Sequence, residues 1–219
     1  MRLLSTLVAL PVLLVAAPLA AQSPQLTTGG FLGYQGGFGI TAFGTLNPLA
    51  QGLPVTVRLR VGHTSVDPGR PADARRVFIN TATNGTPVAS GHTWDMGLDV
   101  VVPRGPRRSI FVGLRRSSFK ANFKFVGGNE DFDVTSTNWG LAAGMEATFP
   151  ISWKMDLVAS GGAEAFLSSR LKGHDTSYSP DGQNVNPRED FTYRDADRAV
   201  GQPKFRPVLL LGVSYRLGW

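Results

Sequence analysis

The sequence predicts an all-β fold, an eight-stranded antiparallel up-and-down barrel that spans a membrane. Three observations predict it: apolar residues alternate with small or polar ones in several segments, these segments are long, and no apolar run after residue 21 is long enough for a membrane helix. The alternating segments have about 9 to 13 residues. They are longer than the usual soluble strand of about 5–6 residues and close to the roughly 9–11 that cross a bilayer at a tilt.

The N-terminal segment is set aside before the fold is considered. Residues 1–21 carry one charge, Arg2, followed by a long apolar run and a small-residue ending. This layout is typical of a secretory signal peptide, which is removed from the mature protein. The remaining residues, 22–219, have the length of a single domain.

Composition excludes several classes of protein. The chain of 219 residues has no Cys, so a disulfide scaffold and thiolate chemistry are excluded. The 22 basic residues exceed the 16 acidic ones but are scattered, apart from three arginines in one short turn at 103–108, so no nucleic-acid partner is expected. No cofactor is expected either, because the paired glycines of residues 29–37 are not followed by the helix that a phosphate-binding loop requires.

The clearest alternation runs through residues 207–219, where every second residue is apolar or aromatic. The same pattern recurs along the chain, with glycines and single charges on the opposite face. Glycine relieves crowding on the inner wall of a narrow barrel. The first two strands are the least certain, because residues 29–37 also fit one bent strand. The predicted strands are 26–34, 37–46, 54–64, 92–102, 109–125, 134–149, 153–167 and 206–219.

In residues 109–125 the apolar side chains do not all fall on one face of the predicted strand. Ile110, Val112 and Leu114 occupy even positions, whereas Phe119 and Phe123 occupy odd ones. Two explanations stay open at this point. Either a bulge near Arg115–Arg116 shifts the phase, or the second half of this strand stands above the bilayer, since its length at about 3.3 Å per residue exceeds what a membrane strand needs.

The connections fall into two alternating classes. One class is short and carries turn residues, and the other contains two long polar loops, of which residues 71–76 are predicted to form a helical turn. Short turns on one side and long loops on the other are typical of bacterial membrane barrels. The short connections are 47–53, 103–108 and 150–152, and the others are 65–91, 126–133 and 168–205.

The chain ends Tyr215-Arg216-Leu217-Gly218-Trp219, an aromatic last residue preceded by apolar residues at every second position. In this motif the sequence resembles small bacterial outer-membrane β-barrels of the outer-membrane protein A and X or opacity type. The resemblance implies that residues 22–219 are an outer-membrane barrel domain, in contact with outer-membrane lipid and inserted by the barrel-assembly machinery. The insertion signal then comprises Leu211, Val213, Tyr215, Leu217 and Trp219.

Charged residues on the predicted inner face carry both signs. Burying an isolated charge is costly, so we expect them to pair and to fill the narrow interior of eight strands. The alternative is a minor channel for small solutes, in which they line a continuous wet path. The predicted interior network comprises Arg58, Arg60, Asp95, Asp99, Arg115, Glu146, Asp156, Glu164 and Arg216.

The sequence predicts a non-enzymatic barrel that stabilises the envelope or binds through its loops. We expect loops 65–91 and 168–205 to contact other envelope proteins, and aromatic side chains to anchor the barrel at both membrane interfaces. These anchors are Tyr34, Trp94, Trp139 and Trp153, together with the aromatic residues of the C-terminal motif.

Two further alternatives are weaker. One is a lipid hydrolase, or a metal site, at the barrel rim, because His63 and His92 lie near Ser65, Asp67 and Asp95 in sequence. The other is a soluble periplasmic barrel that binds an apolar ligand, which requires the apolar faces to point inward.

Overall fold

The computed structural model describes residues 25–47 and 55–217. The predicted signal peptide, residues 1–21, and the last residue of the predicted insertion signal, Trp219, lie outside the described residues. Ten strands and two helices are present in the described part. The strands are β1 (Gln25–Gln35), β2 (Gly37–Asn47), β3 (Thr56–Val66), β4 (Thr86–Pro103), β5 (Arg108–Val126), β6 (Asp131–Pro150), β7 (Met155–Phe166), β8 (Leu171–Gly173), β9 (Thr176–Tyr178) and β10 (Phe205–Arg216). The helices are α1 (Pro71–Phe78) and α2 (Tyr193–Ala199).

Eight of these strands, β1 to β7 and β10, close into an antiparallel barrel. From β1 to β7 each strand pairs with the next, β7 pairs with β10, and β10 pairs with β1 to complete the ring. The predicted eight-stranded barrel is confirmed. The first two strands are separate, because Gly36 turns the chain between them with a φ of +78°, a conformation that favours glycine.

The two ends of the barrel differ. We call one the turn end: β1 begins there, β10 finishes there, and the connections across it are short. We call the other the loop end, where the β1–β2 and β5–β6 connections are also short but two long segments, 67–85 and 167–204, join β3 to β4 and β7 to β10. The free ends of the first and last barrel strands, β1 and β10, lie on the same side, as an even strand count requires.

The side chains of β5 alternate between the inner and outer faces of the sheet without interruption along its whole length. Its pairing with β4 and β6 runs without an inserted residue from Ser109 to Lys124, and its odd-numbered residues face inward throughout. The explanation by a bulge at Arg115–Arg116 is therefore wrong. β4, β5 and β6 have 18, 19 and 20 residues against 11 in β3 and 12 in β7, so their loop-end halves extend beyond the rest of the barrel. The prediction for β4 started too late, at residue 92 instead of Thr86.

The loop end of the barrel is closed by a cap. We define the cap as α1, α2, β8, β9 and the ends of β4, β5 and β6 that extend beyond the barrel. The predicted helical turn at 71–76 is part of α1. Neither helix in the described part of the chain has the length and apolar run that crossing a bilayer requires. The cap encloses a buried apolar core of Ala74, Val77, Phe78, Phe119, Ala121, Phe123, Phe125, Phe132, Val134, Leu171, Tyr178, Ala196, Ala199 and Val200.

The outer wall of the barrel carries a continuous apolar surface, which we call the belt. Its side chains alternate with buried ones along every strand, and they are exposed although they are large and apolar. The apolar faces thus point outward, and the alternative of a soluble barrel with an apolar interior is wrong. The belt includes Leu32, Ile40, Leu59, Val61, Met96, Leu98, Val100, Val112, Leu114, Leu141, Met145, Leu157, Leu209, Leu211 and Val213.

Candidate functional site

The barrel interior holds the densest group of charges in the described part of the chain. All nine charged residues assigned to it from sequence lie on the inner wall. Eight of them are buried, and Arg216 is half-buried at the turn end. A tenth member, Arg206, is also buried and was missed. Five arginines thus share the interior with five carboxylates, and the formal charges of these ten groups cancel.

The centre of the interior is a chain of ion pairs. Arg115 contacts Asp99 at 2.5 Å and Glu164 at 2.7 Å. Glu164 also accepts a hydrogen bond from Arg206 at 2.8 Å, and Arg206 reaches Asp95 at 3.1 Å. Each carboxylate and each guanidinium in this chain therefore has a partner of opposite charge, which offsets the cost of removing it from water.

Two further pairs lie toward the turn end. The guanidinium of Arg58 donates two hydrogen bonds to Glu146, at 2.6 and 2.7 Å, in the bidentate geometry that arginine and carboxylate favour. The same guanidinium lies 5.4 Å from the centre of the Phe43 ring. Nearer the rim, Arg216 donates to Asp156 at 2.7 Å.

Two inward-facing glycines make room for the central chain of ion pairs. A Cβ atom at Gly113 would lie 2.1 Å from Asp99 Oδ1, and one at Gly97 would lie 2.8 Å from a terminal nitrogen of Arg115. Both distances are shorter than a van der Waals contact allows. The glycine-rich inner face recognised in the sequence therefore leaves space for long charged side chains.

Arg206 was missed although the sequence carried a signal for it. It has the same parity as Arg216 in β10, the predicted strand that includes both, so the alternation places it on the inner face. Val208 and Leu210 are apolar, so they interrupt the small and polar inner positions that mark the rest of that strand. The residue that links Asp95 to Glu164 was therefore left out of the predicted network.

The interior is divided rather than open from end to end. One opening of about 300 Å³ at the turn end reaches as far as Arg58, and another of about 260 Å³ at the loop end reaches as far as Arg206. Between them lie Asp99, Arg115 and Glu164, whose exposed fractions are 0, 2 and 3 %. Such low exposure is the opposite of what side chains lining a water-filled path would show.

Among the comparisons with known proteins, a match to a solved structure agrees with this geometry. No protein-family model matches the sequence, and no curated protein is significantly similar to it. Among solved structures, the chain is similar to a major outer membrane protein from Thermus thermophilus, with a TM-score of 0.70 and 22 % sequence identity over 90 % of this chain and 100 % of that one. The chain folds as a small outer-membrane β-barrel. Neisserial surface protein A is also matched, with a TM-score of 0.40 and 10 % identity over 88 % of this chain and 96 % of that one.

The closed ring of eight strands, the outward apolar belt and the inward charges together fit the outer membrane as location. The aromatic residues predicted as anchors lie at the two borders of the belt. Tyr34, Trp94 and Trp139 are exposed on the loop-end side, and Trp153 is exposed in the β6–β7 turn at the other end. Leu211, Val213 and Tyr215 of the predicted insertion signal point outward from β10, and Leu217 follows that strand.

The two rim histidines face the outer wall, not the interior. The His63 and His92 rings lie 5.6 Å apart, and His63 packs edge-on against Trp94. Asp95 lies on the opposite side of the sheet, paired with Arg206, so it cannot orient either histidine. Among the described residues no hydrogen bond joins Ser65 to His92, its neighbour in the register, and no three His, Cys, Asp or Glu side chains are grouped to hold a metal ion.

A buried arginine fastens α1 to the β5–β6 turn. Arg75 of α1 is 1 % exposed and pairs with Glu130, in the β5–β6 turn, at 2.6 Å. It also donates to Asn80 and Asn84, and its guanidinium lies 4.5 Å from the centre of the Phe125 ring. Hydrogen bonds from Asn80 and Arg75 lower the pKa of Glu130 below its ordinary value of 4.5.

Proposed function

We propose that this protein is a closed, non-enzymatic barrel that has a structural role in the outer membrane and holds a rigid cap outside it. The short turns of bacterial barrels face the periplasm, so the loop end and its cap face outward. The observation that carries the proposal is the network of paired charges across the interior, in which five arginines balance five carboxylates. A barrel whose middle is filled by paired side chains can anchor a cap but leaves solutes no path.

The pairing favours a plug over a channel on energetic grounds. A buried guanidinium is tolerated only where carboxylates and hydrogen bonds replace its water. Arg115 meets this condition through two carboxylates, and Glu164 is held by two arginines. Moving these side chains aside to open a path would separate charges that now compensate one another.

Single-channel recording in planar bilayers tests the proposal. We expect no conductance steps from the wild-type protein at any voltage at which the bilayer is stable. The double variant R115A/E164A removes one charge of each sign from the centre and should conduct. The matched variant R216A/D156A removes a pair at the rim and should remain closed. Regular steps from the wild type would contradict the proposal.

The non-enzymatic part has its own test. The protein, reconstituted with outer-membrane lipids, should leave the masses of those lipids unchanged over hours of incubation. A new lipid product that disappears with H92A would show that the rim is an active site.

A second candidate function is contact with another envelope protein through the cap. It is favoured by the fixed conformation of the two long segments. They pack on an apolar core, and the contacts of Arg75 hold the first of them in place. Binding sites are often carried by loops on a rigid scaffold. Crosslinking in whole cells from residues on the outer side of α1 and α2 should then give a defined band of the crosslinked partner. A variant in which short turns replace segments 67–85 and 167–204 should lack this band.

A further inference from the structure

One arginine on the outer wall has no partner among the residues that the structure describes. The alternation of β5 points Arg116 outward, and the register places it between Met96 on β4 and Trp139 on β6. The next outward residue toward the turn end is Leu114, an exposed member of the belt. Arg116 therefore stands at the loop-end border of the belt, on the wall that faces lipid.

The cations farther along the same strand are compensated by carboxylates of β6. Lys120 pairs with Asp133 at 2.6 Å, and Lys124 pairs with Asp131 at 3.8 Å. Both pairs join β5 to β6 on the outer face of the sheet. In the described ranges 25–47 and 55–217, no acceptor pairs with the Arg116 guanidinium. A charge on the lipid-facing wall is costly unless it reaches the interface or meets an opposite charge there.

A second hydrogen-bond donor lies beside Arg116 on the same wall. Ser118 is the next outward residue on β5, and Trp94 is its neighbour on β4. Beyond it, Lys120 is paired in register with His92. The long side chain of Arg116 can reach a group placed over Ser118, about 6.6 Å away along the strand. A guanidinium and a hydroxyl group beside an interfacial tryptophan match the phosphate of a lipid headgroup.

We propose that the outer wall of β5 binds an anionic membrane lipid through a phosphate of its headgroup. This phosphate pairs with Arg116 and accepts a hydrogen bond from Ser118, while the acyl chains lie along the belt beside Leu114. Charge complementarity carries the proposal, because the phosphate is the anion that the membrane itself presents at this height. The inference rests on the membrane placement given under the proposed function and does not depend on whether the interior is closed.

Native mass spectrometry of the protein released from detergent tests this site with defined lipids. Phosphatidylglycerol should remain bound to the wild type, and R116Q should retain it about tenfold less, since a hydrogen-bonded contact between two charged groups is lost. The matched variant K124Q removes a cation of the same strand that is already paired and lies farther from the belt, so it should bind like the wild type. Heat-dependent mobility on a denaturing gel checks that each variant is folded.

Three results would overturn the proposal. Equal retention of phosphatidylglycerol by R116Q and the wild type would show that Arg116 takes no part. Equal retention of diacylglycerol, which lacks the phosphate, would show that the belt alone holds the lipid. Equal retention of zwitterionic phosphatidylcholine would show that the site does not select an anionic lipid. None of these results would bear on the conductance of the barrel, so failure of this site and failure of the closed interior are distinguishable.

Discussion

The membrane-spanning part of the barrel and the cap are built with opposite polarity. In the barrel, apolar side chains lie outside and ion pairs fill the interior. In the cap, apolar side chains fill the interior and ion pairs such as Lys120–Asp133 lie outside. The strand register does not change between the two, and only the medium around the sheet changes.

β5 passes through both regions and shows what sets the polarity. Its inward residues change from Arg115 to Phe119 and Phe123 without any shift in pairing, while its outward residues change from Leu114 to Lys120. Where lipid covers the wall, the outer side chains must be apolar. Where water covers it, the apolar side chains must be enclosed. A change of phase in hydrophobicity can therefore mark a change of solvent, not a bulge.

The largest expected effect follows from breaking the central ion pairs of the barrel. Glu164→Ala leaves two buried arginines short of a partner, and we expect it to reduce the free energy of unfolding by about 3–5 kcal/mol. Asp156→Ala, at the rim where Arg216 is half-buried, should cost about 1 kcal/mol. Urea unfolding in lipid vesicles measures both. Equal losses would show that depth in the interior does not matter.

In the cap, the equivalent change is the removal of an apolar side chain. Phe123 is fully buried and its ring lies 5.4 Å from that of Phe132. Phe123→Ala should destabilise the cap by about 3 kcal/mol, because it leaves a cavity. Hydrogen exchange should then increase in segments 67–85 and 176–200 and stay unchanged in β1 and β2. Val112→Ala, which alters the lipid-facing wall of the same strand, is the control. Loss of the whole barrel in F123A would show that the two regions are one cooperative unit.

A smaller effect is expected from filling the space beside the ion pairs. Gly113→Ala places a methyl group against Asp99 and should cost about 1–3 kcal/mol, as overpacking does. At Gly161, on the outer wall, the nearest atom to a new Cβ is 3.9 Å away, so Gly161→Ala should be close to neutral. The midpoint temperature of the heat-dependent mobility shift compares the two variants.

The smallest effect is the dependence of the cap on pH. The folded-state pKa of Glu130 is depressed, so its contribution to stability is complete above the ordinary pKa and is lost as pH falls through the lower, folded value. Protease resistance of segment 67–85 should therefore hold down to about pH 4.5 and decline below it. Glu130→Gln should be less resistant at neutral pH and lose most of this decline. An unchanged profile in E130Q would assign the decline to other groups.

Much of the barrel interior could be read from the sequence, and the cap could not. Strict alternation assigns a side chain such as Arg58 or Glu146 to one face without knowledge of its partner. It does not say that Arg58 pairs with Glu146, which is 88 residues away, because pairing depends on how eight strands stagger around the ring. The cap is held by residues such as Arg75 and Tyr178, which lie in segments without periodicity and meet only when the two long loops fold over the strand ends.

The sequence by itself determined the number of barrel strands, the faces of each of these strands and the orientation of the apolar wall toward lipid. These properties follow from a period of two residues and from the medium on each side of a sheet. Only the tertiary structure decided which charges pair, that Arg206 joins them, and that α1 and α2 close the loop end, because these contacts connect distant parts of the chain. Only the tertiary structure, likewise, shows that the charge of Arg116 has no partner among the described residues, because an uncompensated charge is recognised only when the positions of its neighbours are known.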